Sequence, residues 1–123
     1  MSQNSKSLSH AATVMQTTDL TKSMKFYTDV LGFKVTFTWE EPPSYAILKA
    51  GDSVQIHLAV IDSSTALLNP RAIYIFCHDI HLYYDNCRTN GLLDKVGIQK
   101  TEYGMEEFEV RDPDGNLLCF GQG

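Results

Sequence analysis

The sequence of 123 residues lacks several features that would each indicate a class of protein. No apolar run approaches the roughly 20 residues that a membrane-spanning helix needs. Residues 1–9 are polar and do not show the basic and then apolar order of a signal peptide. A glycine-rich phosphate loop and a G-x-S-x-G nucleophile turn are also absent. The sequence therefore predicts no membrane partner, no secretion and neither of those two chemistries.

Positive charge and paired cysteines are also scarce. The chain has ten Lys and Arg residues and 15 Asp and Glu residues, which gives a formal net charge of -5. A protein that binds along nucleic-acid phosphates needs a basic stripe instead. The odd set Cys77, Cys87 and Cys119 contains no C-x-x-C pair, which favours a reducing cytoplasm over a disulfide framework. We expect a cytoplasmic domain without a nucleic-acid partner, and its charge is compatible with a cationic small molecule.

A weak internal repeat organises the chain. Asp19 and Asp79 can each cap the start of a helix, and Gly32 and Gly91 can each take the left-handed conformation just past its end. Strands are predicted at about 10–17, 33–40, 44–50 and 53–61, and again at about 71–77, 96–101, 104–111 and 116–121. The order βαβββ thus occurs twice, which predicts an α+β fold in which the uncovered faces of two sheets can meet to form a cavity.

The repeat also sets the predicted domain organisation. We expect a flexible tail over residues 1–9 and a single domain over 10–122. Within that domain, module 1 covers about 10–62 and module 2 about 70–122. The loop between the modules, at about 62–70, carries Ser63 and Ser64.

The most informative segment is the predicted hairpin over residues 106–122. Pro113 and Gly115 suit a tight turn that Asp112 can cap with its side chain. Strand alternation assigns one set of side chains to a buried face, namely Phe108, Val110, Leu118 and Phe120. The same alternation assigns Glu107, Glu109 and Cys119 to the opposite face, where a ligand could bind.

Motifs in both halves of the chain carry a resemblance to a known family. The first is Asp19-Leu20-x-x-Ser23-x-x-Phe26-Tyr27-x-x-Val30-Leu31-Gly32-Phe33. The second half contributes Tyr103-Gly104-Met105-x-Glu107-Phe108, Asp112-Pro113-Asp114-Gly115-Asn116 and Phe120-Gly121-Gln122. Together with the repeat, these strings resemble the vicinal oxygen chelate superfamily, which includes glyoxalase I, extradiol dioxygenases and bleomycin-resistance proteins. The Tyr103-Gly104-Met105-x-Glu107-Phe108 and Phe120-Gly121-Gln122 strings resemble the bleomycin-resistance branch most. Since fold does not settle function, the resemblance leaves the activity open.

The resemblance implies where a metal would bind if this chain kept the family's site. Enzymes of the superfamily hold a divalent metal with side chains at four strand positions. Carried over by motif, those positions fall on Ala12, His57, Ile73 (with Ala72 as the nearest alternative) and Cys119. Because alanine and isoleucine cannot ligate a metal, we predict no family-type metal site. A shifted set of His10, His57 and Cys119 would suit zinc and is the alternative that would make the chain a metal-dependent lyase, isomerase or dioxygenase.

The residues expected in the cavity favour a planar or cationic ligand, because they combine aromatic rings with carboxylates. The predicted ligand-binding residues are Trp39, Tyr45, His57, Tyr103, Met105, Glu107 and Cys119, with Phe37, Ile47 and Glu109 expected on the same side. Bleomycin-resistance proteins are acidic homodimers that sequester a cationic drug at the subunit interface, and the resemblance implies the same here. We therefore expect a metal-free small-molecule-binding homodimer. An accessory domain that binds a partner protein through its sheet edges is a further alternative.

Overall fold

The computed structural model describes residues 5–62 and 69–123, and these residues form two four-stranded sheets. Sheet 1, in the order β1-β4-β3-β2, contains β1 (Thr13–Thr17), β2 (Lys34–Trp39), β3 (Tyr45–Ala50) and β4 (Val54–Val60). Sheet 2, in the order β5-β8-β7-β6, contains β5 (Ala72–Phe76), β6 (Gln99–Lys100), β7 (Glu106–Arg111) and β8 (Leu117–Gln122). The parallel pairs are β1 with β4 in sheet 1 and β5 with β8 in sheet 2. All other neighbouring strands are antiparallel. The predicted α+β fold of two βαβββ modules is confirmed.

Each module has one helix between its first and second strands, and an aspartate caps it as predicted. The Asp19 carboxylate accepts a hydrogen bond from the Lys22 amide at the start of α1 (Leu20–Lys25). The Asp79 carboxylate accepts a hydrogen bond from the Leu82 amide at the start of α2 (Ile80–Thr89). The expected α-helix up to Gly32 is shorter than predicted, because α1 continues as a π-helical turn over Phe26–Val30.

The helices cover one face of each sheet. Helix α1 packs on β3 and β4, and α2 packs on β8. The side chains on these covered faces belong to one hydrophobic core that includes Met15, Tyr27, Leu48, Ile56, Leu58, Ile75, Phe108, Leu118 and Phe120. Strand alternation then turns the intervening side chains to the other side. We call these two uncovered surfaces open face 1 and open face 2, after their sheets.

The turn between β7 and β8 joins the two modules. The Tyr27 hydroxyl donates to Asp112 Oδ2 at 2.8 Å, and the Ser23 hydroxyl donates to Asp114 Oδ2 at 2.9 Å. The Asn116 amide nitrogen donates to Asp112 Oδ2 at 2.9 Å. Asp112, Asn116 and Tyr27 are buried. Motifs of both halves on which the family resemblance rests are therefore in direct contact, and we call this hydrogen-bond network the clasp.

Two strands differ most from their predicted bounds. Strand β1 begins at Thr13 rather than near residue 10, and β6 has two residues instead of a strand over 96–101. The second difference has a local cause, since the Asp94 carboxylate accepts hydrogen bonds from the Val96 and Gly97 amides and holds that segment in a turn. Most of the predicted loop at 62–70, with Ser63 and Ser64, lies outside the described residues. In the described part of the chain, no helix is long and apolar enough to cross a bilayer.

Candidate ligand-binding site

The predicted site residues of module 1 lie together on open face 1. The Tyr45 hydroxyl oxygen is 2.6 Å from His57 Nδ1, and the Gln55 amide nitrogen is 3.0 Å from His57 Nε2. A neutral imidazole has one N–H and one acceptor nitrogen. With Gln55 donating to Nε2, the ring proton lies on Nδ1 and is donated to the Tyr45 oxygen. Both ring nitrogens of His57 are thus already engaged.

The surroundings of His57 keep its ring neutral. Burial lowers the pKa of His57, and the positive charge of Lys49 lowers it further. Lys49 lies on the same face, because it pairs with Gln55 across β3 and β4. The aromatic wall extends to Trp39, which pairs with Tyr45 and is 60% exposed. Open face 1 therefore offers aromatic rings and neutral hydrogen-bonding groups beside one cation.

The site residues of module 2 lie on open face 2 around a carboxylate. The hydroxyl groups of Tyr74 and Tyr103 both donate to Oε2 of Glu107, at 2.6 and 2.8 Å. Burial raises the pKa of the Cys119 thiol to about 11, and the charges of Glu107 and Glu109 contribute to this rise. At neutral pH Cys119 is therefore a thiol, which is not the form that attacks electrophiles.

The predicted residues form two groups, one on each sheet, as judged by their hydrogen bonds and ring contacts. In the described part of the chain, every hydrogen bond and ring contact made by Trp39, Tyr45 and His57 stays on sheet 1. Those made by Tyr103 and Glu107 stay on sheet 2. Met105 lies just before β7, where its amide donates to the Thr101 hydroxyl. Within the described residues, no hydrogen bond or ring contact joins these two groups.

The residues at the family's metal positions do not fit a metal ion. Ala12 carries only a methyl group, and both nitrogens of His57 are hydrogen-bonded. Ile73 requires a correction: it pairs with Leu118 and packs against the core, so it does not share a face with Cys119. Tyr74 is the residue of β5 that pairs with Cys119, and the alternative position Ala72, two residues away, lies on the same face but carries only a methyl group.

The shifted ligand set is not assembled either. His10 lies before β1, and its Nδ1 is hydrogen-bonded to the Ser9 hydroxyl at 2.7 Å. Among the described residues, no three His, Cys, Asp or Glu side chains lie close enough together to hold a metal ion, and this includes His10, His57 and Cys119.

Sequence reasoning missed Tyr74, Phe76 and Gln55, all of which lie on the open faces. The stretch from Ala72 to Phe76 places aliphatic or aromatic side chains at every position, so its alternation cannot show which set faces the core. The parallel pairing with β8 could have shown it, because Cys119 was already assigned to the open face and Tyr74 is its partner.

Two cavities lie near the open faces, and they differ in whether residues of those faces line them. A groove of about 550 Å³ between the start of β1, the β3–β4 turn and β5 is lined by Ala12, Gln55 and Tyr74 among others, so it touches the margins of both open faces. A separate apolar cavity of about 320 Å³ is lined by residues that include Phe33 and Phe120. None of the predicted site residues lines this second cavity.

Comparison with known proteins assigns the family. A sequence profile described as the Glyoxalase/Bleomycin resistance protein/Dioxygenase superfamily matches residues 7–120. The chain belongs to this superfamily. The resemblance seen in the motifs of both halves is thereby confirmed. The comparison with curated proteins gives no significant match.

Solved structures of the glyoxalase/bleomycin-resistance fold superpose over nearly the whole chain. TioX from Micromonospora sp. ML1 is 17% identical, covers 94% of this chain and 98% of its own, and has a TM-score of 0.79. A bleomycin resistance determinant encoded on the transposon Tn5 is 20% identical, with 94% and 98% covered and a TM-score of 0.76. A bleomycin-binding protein complexed with bleomycin is 21% identical, with 94% and 99% covered and a TM-score of 0.75. At these identities the superpositions show a common fold and leave the ligand of this chain open.

Proposed function

We propose that this superfamily member binds a small cationic or aromatic molecule without a metal and without chemistry. One observation carries the proposal: the four positions that would hold the family's metal present a methyl group, an imidazole with both nitrogens hydrogen-bonded, a core isoleucine and a single thiol. A ligand whose oxygen atoms need a Lewis acid finds no donor set here. Aromatic side chains instead remain exposed on both open faces, including Phe37, Trp39, Phe76 and Tyr103.

We further propose that the working unit is a homodimer. Each open face supplies only part of a binding site, because the aromatic rings near His57 and the carboxylate of Glu107 form separate groups within one chain. A second copy can bring open face 1 of one chain against open face 2 of the other and enclose the ligand between them. Such closure also removes exposed apolar surface from water, which favours association. Light scattering of the purified protein should give twice the mass of one chain.

Ligand binding can be tested by thermal unfolding with a panel of cationic antibiotics and aromatic metabolites. Bleomycin belongs in this panel because a structural relative was solved with it. A ligand at 100 times its dissociation constant should stabilise the protein by about 2.7 kcal/mol. The control variant for this panel is Leu93→Ala, which loses an exposed apolar side chain away from the proposed site. Leu93 is 97% exposed and lies outside both open faces. A flat response across the panel from a dimer that captures another protein would favour the accessory-domain alternative.

A further inference from the structure

The Glu107 carboxylate is held on one side only. Tyr74 and Tyr103 both donate to Oε2, at 2.6 and 2.8 Å. Within the described residues, no hydrogen bond reaches Oε1, and no lysine or arginine forms an ion pair with Glu107 or Glu109. The cation nearest in sequence on this face, Arg111, donates to the Gly115 carbonyl instead. One oxygen of Glu107 is thus fixed while the other remains open to a ligand.

The contact between Tyr74 and Glu107 must cross a strand. Tyr74 lies on β5 and Glu107 on β7, with β8 between them. Two strand spacings are roughly 9.6 Å, so the tyrosine ring has to lie flat over β8 to reach the carboxylate. Gly121, which pairs with Glu107, is the residue over which the ring passes.

Gly121 makes this crossing possible because it has no side chain. A Cβ atom at position 121 would stand 1.9 Å from the Tyr74 hydroxyl oxygen and 2.5 Å from its Cζ atom, which is far inside van der Waals contact. The backbone of Gly121 is not in the left-handed region, so conformation is not the reason for glycine here. The reason is the space that the Tyr74 ring occupies.

The surroundings of the fixed carboxylate suit an organic cation. The Phe76 ring lies 4.9 Å from the Tyr74 ring, centroid to centroid, and is 75% exposed. Glu109 adds a second negative charge, and the raised pKa of Cys119 reflects burial together with both carboxylates. Aromatic faces beside carboxylates attract ammonium and guanidinium groups. Open face 1 carries Lys49 instead, which repels such groups.

We propose that Gly121 and Tyr74 are positioning residues for the Glu107 carboxylate, and that this carboxylate recognises the positively charged group of the ligand on module 2. This inference rests on the proposed binding function and names the class of its ligand, an organic cation. Its first test needs no ligand, so it can fail or succeed independently of that function.

The first test uses Cys119 as a reporter of the nearby charges. The thiolate is the form that reacts, so its alkylation rate by uncharged iodoacetamide at fixed pH follows the pKa of Cys119. Mass spectrometry of the peptides separates Cys119 from Cys77, which is the internal control. Glu107→Gln should raise the Cys119 rate, whereas Glu106→Gln, a neighbour that bonds His81, should not.

A double-mutant cycle then tests whether Gly121 acts through Tyr74. Gly121→Ala should change the Cys119 rate in the wild-type protein, because the displaced Tyr74 ring releases Glu107. It should add nothing in a Tyr74→Ala background, where the added methyl group meets no ring. Equal effects of Gly121→Ala in both backgrounds would show that it does not act through Tyr74 and would overturn the positioning role.

The second test compares two probes of the same shape that differ in charge, 3-hydroxyphenyltrimethylammonium and 3-tert-butylphenol. Nuclear magnetic resonance titration of the intact protein should show tighter binding of the ammonium probe. Glu107→Gln and Gly121→Ala should weaken that binding by about tenfold and leave the neutral probe unaffected. Equal binding of both probes, no binding of the ammonium probe, or an unchanged affinity in Glu107→Gln would overturn charge recognition on module 2. The thermal-shift panel would still decide separately whether the protein binds ligands at all.

Discussion

The two open faces occupy equivalent places in the repeat, yet they carry different chemistry. Strand pairing matches Tyr45 with Ala59 on sheet 1 and Glu107 with Gly121 on sheet 2. It also matches Ile47 with His57, and Glu109 with Cys119. At corresponding positions, Tyr45 and Ile47 in module 1 are thus replaced by the carboxylates Glu107 and Glu109 in module 2.

The way each face holds its polar centre also differs. On sheet 1, Tyr45 bonds His57 on the adjacent strand. On sheet 2, Tyr74 must reach across a strand to Glu107, and a glycine makes room for it. The repeat therefore preserves the covered faces, where the core constrains every side chain, while the open faces are free to diverge.

The largest effect we predict is on the clasp, which holds the two modules together. Asp112→Ala removes the acceptor for the Tyr27 hydroxyl, the Asn116 side chain and two backbone amides, and leaves these buried or partly buried donors unpaired. We expect a loss of about 3 kcal/mol or more in the free energy of unfolding. Urea denaturation measures it.

Asp52→Ala is the matched control for the clasp, because Asp52 also bridges the modules through its contact with His78 but is fully at the surface. An exposed pair of this kind contributes little. If both variants unfolded at the same urea concentration, the clasp would not be what joins the two modules. The relative placement of the two open faces would then need another cause.

Trp39→Ala should have the next largest effect, which is on ligand affinity. It compares stacking on open face 1 with charge recognition on open face 2. If Trp39 stacks on the ligand, its loss should weaken binding by about 1–3 kcal/mol. The loss should be similar for the charged and the neutral probe if Trp39 stacks on the phenyl ring that both probes share. Calorimetric titration of each probe provides the comparison with Glu107→Gln. Unchanged affinity for both probes would remove Trp39 from the site.

The smallest predicted effect concerns the pKa of His57. Lys49→Met should raise the pKa of His57 toward its ordinary value, because it removes a nearby positive charge. Lys34→Met is the control, since Lys34 pairs with Lys49 on the neighbouring strand. Titration of the imidazole by nuclear magnetic resonance measures the change. No difference between the two variants would contradict the assigned electrostatic cause.

The pH dependence of stability has a definite sign at His57. Its folded-state pKa lies below the ordinary value of about 6.5. The contribution to folding is therefore present above that value and is lost as the pH falls toward the folded-state pKa. Lys49→Met should reduce this loss on the acidic side and leave stability at higher pH less affected.

Much of the fold could be predicted because local signals agree with tertiary contacts. Asp19 and Asp79 cap their helices as expected, and the turn at Asp112 forms with Gly115 at positive φ. The sequence did not reveal the π-helical turn or the Asp94 turn that shortens β6. Neither has a periodicity that distinguishes it from a regular element.

The candidate site was harder to predict than the fold. The family position was assigned to Ile73, which faces the core, whereas the alternative Ala72 lies on the open face, because a shift of one residue on a strand moves a side chain to the opposite face. The separation of His57 from Glu107 depends on how the two sheets pack, which no local pattern encodes. Gly121 illustrates a further limit, since its role depends on a ring from another strand.

The most direct measurement is the metal content of the purified protein after exhaustive dialysis, determined by mass spectrometry of the elements. A chain in which neither the carried-over nor the shifted ligand positions can hold an ion should retain far less than one equivalent, and His57→Ala should not change that value. One equivalent of a divalent metal per chain, retained through dialysis and lost in His57→Ala, would contradict a metal-free binding protein and favour an enzyme.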